Sequence, residues 1–154
     1  MTTLTLADWQ QRARDLRIEG RAFIQGEYTA PSAGASFDCI SPVDGRVLAQ
    51  VASCDEADAD RAVISARMAF ESGVWSRMAP AKRKATMIRF ANLIQANAEE
   101  LALLETLDMG KPIGDSLNVD MPGSANALRW SGEAIDKIYD EVAATPHDQL
   151  GLVT

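Results

Sequence analysis

The stretch Leu103-Leu104-Glu105-Thr106-Leu107-Asp108-Met109-Gly110-Lys111-Pro112-Ile113 reads as a helix with a fixed stop. Leu101, Leu104 and Leu107 recur at i, i+3 and i+6 and mark one apolar stripe. Gly110 accepts the left-handed conformation that ends a helix, and Pro112 prevents its resumption. The stop leaves orphan carbonyls beside the Asp108 carboxylate. Two readings follow: an ordinary helix end followed by a turn, or a cation site built on that carboxylate.

Upstream, the pattern changes twice. Residues 4–18 read as a first helix, with Leu4, Ala7, Trp9, Ala13 and Leu16 as its stripe and Gly20 closing it. Phe23-Ile24 and Glu27-Tyr28 flank Gln25-Gly26, a hairpin signal. Phe37–Ile40 and Val47–Val51 read as two strands around Pro42-Val43-Asp44-Gly45, where Asp-Gly marks the turn. Ser53 and Glu56 have capping-box spacing and open a helical region. Ala62, Val63, Ala66, Met68, Ala69 and Phe70 supply an apolar side, and Gly73 is the expected C-cap. Pro80 suits the first turn of the next helix, with Met87, Phe90, Ala91 and Ile94 facing inward.

Downstream of Pro112, residues 113–143 read as one broken helix or two. Asp120 before Met121-Pro122 is expected to cap the second part, with Leu128, Ile135, Ile138 and Val142 as its stripe. The tail from Thr145 ends in Leu152-Val153-Thr154 and reads as the start of a strand with no partner in this chain. The expected class is a mostly α-helical chain with a small antiparallel β patch near the N-terminus.

Composition narrows the function. The chain has 154 residues, 15 basic against 22 acidic, and a net charge of −7. That balance opposes a nucleic-acid or anionic-membrane partner. Lys82, Arg83 and Lys84 form one basic cluster, read as a solvated helix face. No apolar run is long enough to span a bilayer, and no signal peptide is visible, so the cytoplasm is the expected compartment. Cys39 and Cys54 lack CxxC or Cys/His spacing and read as small buried hydrophobes. His147 is the only histidine. Glycine-rich phosphate loops are missing, since Gly110-Lys111 has neither the upstream glycine nor the following Ser/Thr of a P-loop.

The opening run resembles the "LETLDxGKPI" segment of the NAD(P)-dependent aldehyde dehydrogenases. Further blocks resemble that family in order and spacing. Phe23-Ile24-Gln25-Gly26-Glu27-Tyr28 is similar to "FINGEW". Ser41 to Val51 is similar to "NPxTGexlxxV". Trp75 followed by Arg83 resembles a "W…R" helix start. Arg129-Trp130, with Ala134, Asp136 and Lys137, resembles "RYYAGxADK". Within the family, the pattern looks most like bacterial enzymes for aminoaldehydes or γ-glutamylated aminoaldehydes from polyamine breakdown.

The resemblance implies an α/β, Rossmann-like parent fold and oxidation of an aldehyde to an acid with NAD or NADP. It implies a division into residues 1–20 (a helix), 21–145 (the N-terminal part of the cofactor-binding domain) and 146–154 (the start of an oligomerisation strand). A homodimer or homotetramer is implied for the parent. In the family, the nucleophilic cysteine, the oxyanion-binding amides, the water-activating glutamate and the cofactor contacts all follow the matched segment. No catalytic or cofactor-binding residue is therefore assigned here, and the chain alone is expected to be inactive and to bind no cofactor. Two sites do carry over. A structural monovalent cation is held by carbonyls at positions matching Cys39 and Ile40 and by the acid matching Asp108. The helix after "GKP" lines the substrate entrance, where Asp120 stands; its alternative is the helix cap above. Different classes remain open: a free-standing helical binding or assembly module, or a truncated remnant.

Overall fold

A computed structural model describes residues 4–139, 141–143 and 150–153. The chain begins with α1 (Leu6–Asp15), then two antiparallel hairpins, β1 (Ala22–Ile24) with β2 (Glu27–Thr29) and β3 (Ser36–Ile40) with β4 (Val47–Ala52). The helices α2 (Glu56–Ser72), α3 (Pro80–Ala96) and α4 (Ala98–Met109) follow. A single turn, α5 (Ile113–Asp115), leads through a π-helical turn (Ser116–Asp120) into α6 (Met121–Ala134). A last pair, β5 (Glu141–Ala143) and β6 (Gly151–Val153), closes the described chain.

Local chemistry explains most of these elements. Thr5 and Asp8 form a reciprocal capping box that starts α1. Leu4, Trp9, Ala13 and Leu16 are half-buried, as their stripe requires, whereas Ala7 is exposed. Arg12 ties α1 to α4 through Glu99 at 2.5 Å. Gln25 and Gly26 both have positive φ, 58° and 85°, which matches the twist of a two-residue hairpin.

The first correction concerns Gly20. It does not close α1, which ends at Leu16 in extended conformation. Instead, its carbonyl accepts from Ala52 N–H at 2.8 Å, and its backbone lies directly on Gln50 of β4. The second concerns the start of α2. The box is Asp55 with Asp58, two residues beyond the Ser53–Glu56 spacing. Ser53 N–H donates to Ala35 O at 2.9 Å, so Ser53 stays with the sheet and the helix starts later.

Asp58 is 1% exposed and is the best-buried charge of the described residues. Its carboxylate accepts from Ser32 N–H at 3.0 Å, from Ser32 Oγ at 2.7 Å and from Arg61 at 2.8 Å. These bonds pin the Pro31–Gly34 loop to α2. The Ser32 bonds hold its pKa at about 2, against the burial that opposes its charge.

The main helical packing is α3 against α6. Gly132 allows the approach, since a Cβ there would lie 2.8 Å from Met87 Cβ. Lys84 of α3 meets Asp136, in the turn just past α6, at 2.8 Å, so part of the basic cluster makes an ion pair rather than a solvated face. Ala91, Ala102, Leu103, Met121 and Ala125 are the buried apolar residues among those described. The stripe of α4 is therefore rotated: Ala102 and Leu103 are its buried residues, while Leu101, Leu104 and Leu107 are half-covered.

Other expected core positions face outward. Phe90 is 52% exposed, and Val63, Met68 and Phe70 of α2 are each more than half exposed. Ile135 and Ile138 lie past the end of α6, with Ile138 80% exposed. Cys54 is exposed and Cys39 half-buried, so neither is the buried small residue expected from composition.

The terminal strand also differs from expectation. β6 has a partner in this chain, with Glu141 opposite Val153, Val142 opposite Leu152 and Ala143 opposite Gly151. Thr145, Pro146, His147 and Thr154 lie outside the described residues.

Candidate functional site

The end of α4 folds as the sequence indicates. Gly110 takes a left-handed φ of 73°, and its N–H donates to Thr106 O at 3.0 Å. A second reason for glycine is tertiary: a Cβ here would lie 2.9 Å from Pro42 Cγ, in the β3–β4 turn. That turn is organised by Ser41, 4% exposed, whose Oγ accepts from the N–H groups of Val43 and Asp44.

Beyond Pro112 the chain reverses over α4. Thr106 Oγ1 donates to Ser116 Oγ at 3.1 Å, and Ser116 is fully buried. The helix then widens into the π-turn, where Met121 N–H donates to Ser116 O, five residues back. Pro122 supplies the cause. It has no N–H for the Asn118 carbonyl, and its ring would crowd that carbonyl in a regular helix.

This geometry corrects the role expected of Asp120. Its backbone is helical, φ −73° and ψ −44°, and its side chain makes no cap bond. Instead Asp120 Oδ2 accepts from Lys111 Nζ at 2.5 Å. The same ammonium donates to Glu105 Oε1 at 3.2 Å. Asp120 and then Glu105 raise the Lys111 pKa, so its charge persists well into alkaline solution. Sequence reasoning missed this triad. The helix stop at Gly110 separates Glu105 from Lys111 and Asp120, so no single element's period links them, and only the chain reversal brings the groups together.

Of the residues expected to hold a cation, Cys39 meets Asp108 through its side chain rather than its carbonyl. Cys39 Sγ donates to Asp108 Oδ1 at 3.3 Å, joining β3 to the end of α4. The β3–β4 ladder shifts register between Cys39 and Ile40, beside this contact. Among the described residues no three His, Cys, Asp or Glu side chains converge on a metal position. A cation here would depend on backbone carbonyls and Asp108. The hydrogen bond to Asp108, and then burial, push the Cys39 thiol up, which keeps it protonated and a poor nucleophile.

The described strands form antiparallel pairs, and among the described residues there is no parallel strand–helix–strand unit. The first turn of α2 carries Glu56 and Asp58 after its Asp55 cap, charges that oppose a phosphate. No described helix is long and apolar enough to cross a membrane.

The arrangement can be compared with known proteins. The aldehyde dehydrogenase family profile matches residues 28–154. The NADP/NAD-dependent aldehyde dehydrogenase PuuC of Escherichia coli (strain K12) is 52% identical over 96% of this chain and 30% of its own length. A mutant of the P. syringae AldA indole-3-acetaldehyde dehydrogenase, solved in complex with NAD+ and IAA, is 80% identical. Its TM-score is 0.97, covering 99% of this chain and 31% of that one. The gamma-glutamyl-gamma-aminobutyraldehyde dehydrogenase from Burkholderia cenocepacia J2315 is 55% identical, with a TM-score of 0.95 over 97% of this chain and 30% of that one. The chain thus spans about 30% of the length of the curated relatives it matches. The profile match over most of the chain and the similarity to these relatives show that the chain belongs to the aldehyde dehydrogenase family.

Proposed function

We propose that the protein containing this chain oxidises an aldehyde to a carboxylic acid with NAD or NADP, this chain serving as scaffold. The observation that carries this is the 80% identity and 0.97 TM-score with a relative solved in complex with NAD+. The catalytic groups are assigned outside these residues. The exposed apolar faces of α2 and the hairpins then pack on the rest of the protein, which works in the cytoplasm as a homodimer or homotetramer.

For substrate we propose an aldehyde carrying an amino group, of the kind released in polyamine breakdown. The identity with the gamma-glutamyl-gamma-aminobutyraldehyde dehydrogenase supports this, as does the Asp120 carboxylate on the segment that the family resemblance puts at the substrate entrance. A neutral aromatic aldehyde is the second reading. The higher identity with the indole-3-acetaldehyde dehydrogenase favours it, and so does the ammonium already seated on Asp120.

Reduced-cofactor absorbance tests both. The full-length protein is expected to reduce NAD+ or NADP+ with 3-aminopropanal or indole-3-acetaldehyde. No turnover with any aldehyde overturns the function. The 154-residue chain alone is expected to give none, and turnover from it would move the chemistry into these residues.

Asp108 with the Cys39 and Ile40 carbonyls is proposed as part of a structural monovalent-cation site. The Cys39–Asp108 approach and the register shift beside it support the placement. Crystals of the full-length protein grown with rubidium are expected to show an anomalous peak beside Asp108; an empty map there removes the site.

A further inference from the structure

An open cleft of about 630 Å³ lies between α1, the β3–β4 turn and the end of α4. Leu6, Trp9, Val43, Leu103, Leu107 and Ile113 supply its apolar lining. Leu103 is 5% exposed, whereas Leu6 and Val43 remain 73% and 75% exposed beside it. Apolar groups gathered in a concavity of this size gain by excluding water, and the volume is that of a small-molecule site. One wall lies outside the shared family segment. The family profile begins at residue 28, and α1 spans Leu6–Asp15. The cleft therefore forms where a helix outside the profile lies on a run inside it.

The charged side chains of the lining are Arg14, Asp44, Arg46 and Lys111. Lys111 is held by Glu105 and Asp120, and Arg46 Nε lies 3.3 Å from Asp44. Arg14 differs. Its Nε and Nη2 donate to Gln11 Oε1 at 3.2 and 2.7 Å, and among the described residues it has no ion pair. Asp15 takes the nitrogen end of that amide instead, at 2.9 Å. Gln11 thus holds the guanidinium in place without cancelling its charge, and Nη1 keeps its donors. Arg12 meets Glu99 at the start of α4, while Lys111 follows the end of that helix. Arg14, in the last turn of α1, accordingly stands toward the start of α4, away from the acids around Lys111.

We propose that this cleft binds a small organic acid with an apolar body, an aryl- or alkyl-carboxylate. Its body lies against Trp9, Leu107 and Ile113, and its carboxylate takes the donors of Arg14. A guanidinium suits a carboxylate because its planar fork of donors matches the two oxygens. One uncompensated cation selects a single negative charge, since a second would meet only groups already paired. The site goes beyond aldehyde oxidation and does not depend on it.

The test uses the full-length protein carrying 5-fluorotryptophan. The Trp9 fluorine signal is assigned by its loss in Trp9→Phe and, independently, by its displacement in Val43→Asp. Titration with 4-phenylbutyrate is expected to move that signal saturably. Half-saturation should fall at about 2 mM, the ordinary ligand efficiency for an acid of about twelve non-hydrogen atoms. Neutral 4-phenylbutanamide should bind about fivefold more weakly, as should the acid to Arg14→Gln, the upper end for an exposed ion pair. Acid and amide should bind Arg14→Gln equally. Arg14 and Val43 are exposed, so both variants keep the packing beneath them. No saturable change at Trp9 up to about 20 mM acid overturns the site and leaves the cleft to a part of the protein outside this chain. Equal binding of acid and amide to wild type, or a preference for the acid that survives Arg14→Gln, overturns it as well. Aldehyde turnover is read separately by the absorbance assay, so either reading can fail alone.

Discussion

Gly20→Ala is expected to lower stability by about 3 kcal/mol, the upper range for forcing atoms into packed structure. The new Cβ would overlap the Gln50 carbonyl oxygen and lie 2.9 Å from the Gln50 carbon and 3.3 Å from Val51 Cα. These are backbone atoms of β4, which is itself registered against β3, so no side-chain rotation relieves the overlap. The Ala52 N–H to Gly20 O bond would break with any retreat. Gly123→Ala is the matched control. A Cβ there meets nothing within 4 Å, and α6 is helical at that point. Alanine should therefore stabilise by about 0.5–1 kcal/mol through helix propensity. Urea midpoints of the two variants should move in opposite directions. A Gly20→Ala midpoint at or above wild type would show that the chain between α1 and β1 shifts freely.

Asp58→Ala is expected to cause the largest loss of any polar substitution, seen as a fall of several degrees in Tm. It removes the acceptor of two Ser32 donors, of Asp55 N–H and of Arg61 at once. Asp58→Asn should lose less, since an amide oxygen replaces one acceptor. The effect has a defined pH window. The native carboxyl has a pKa of about 2 against its usual 3.8, because Ser32, Asp55 and Arg61 bond or face the charged form. A depressed carboxyl pKa contributes stability that is fully present above the unfolded value and is lost as pH falls through the native one. Wild-type stability should therefore drop between about pH 4 and pH 2. The Asn variant should start lower and fall less steeply across that interval. Glu19, held by Arg21 at about 2, titrates in the same window, so the difference between wild type and Asn isolates the Asp58 share. Parallel stability curves for wild type and Asn would show that Asp58 does not carry it.

The two positions differ in how readable they were. Asp58 stood in the sequence as one of several acids near a helix start. Capping-box spacing was visible but fell on Ser53 and Glu56, because two overlapping frames satisfy the same pattern. The Ser53–Ala35 backbone bond selects Asp55 and Asp58 instead. Gly20 was legible as a glycine after a helix, and the ordinary use of such a glycine is a C-cap. Its contact with β4 joins segments thirty residues apart and has no local signature.

What the sequence determined by itself is local or familial. Gly110 and Pro112 end α4, Gln25-Gly26 and Asp44-Gly45 turn two hairpins, and Pro80 opens α3, because each constraint lies in the backbone freedom of a few residues. The ordered family blocks placed the chain in its family, whose profile matches residues 28–154. Tertiary structure decided the rest. It moved Asp120 from helix cap to ion pair, gave β6 its partner in β5, buried Ala102 and Leu103 in place of the leucine stripe, and turned the faces of α2 outward. Each of these depends on which surfaces meet after the chain reverses. Residue spacing encodes the period of an element, not the neighbour that element will find.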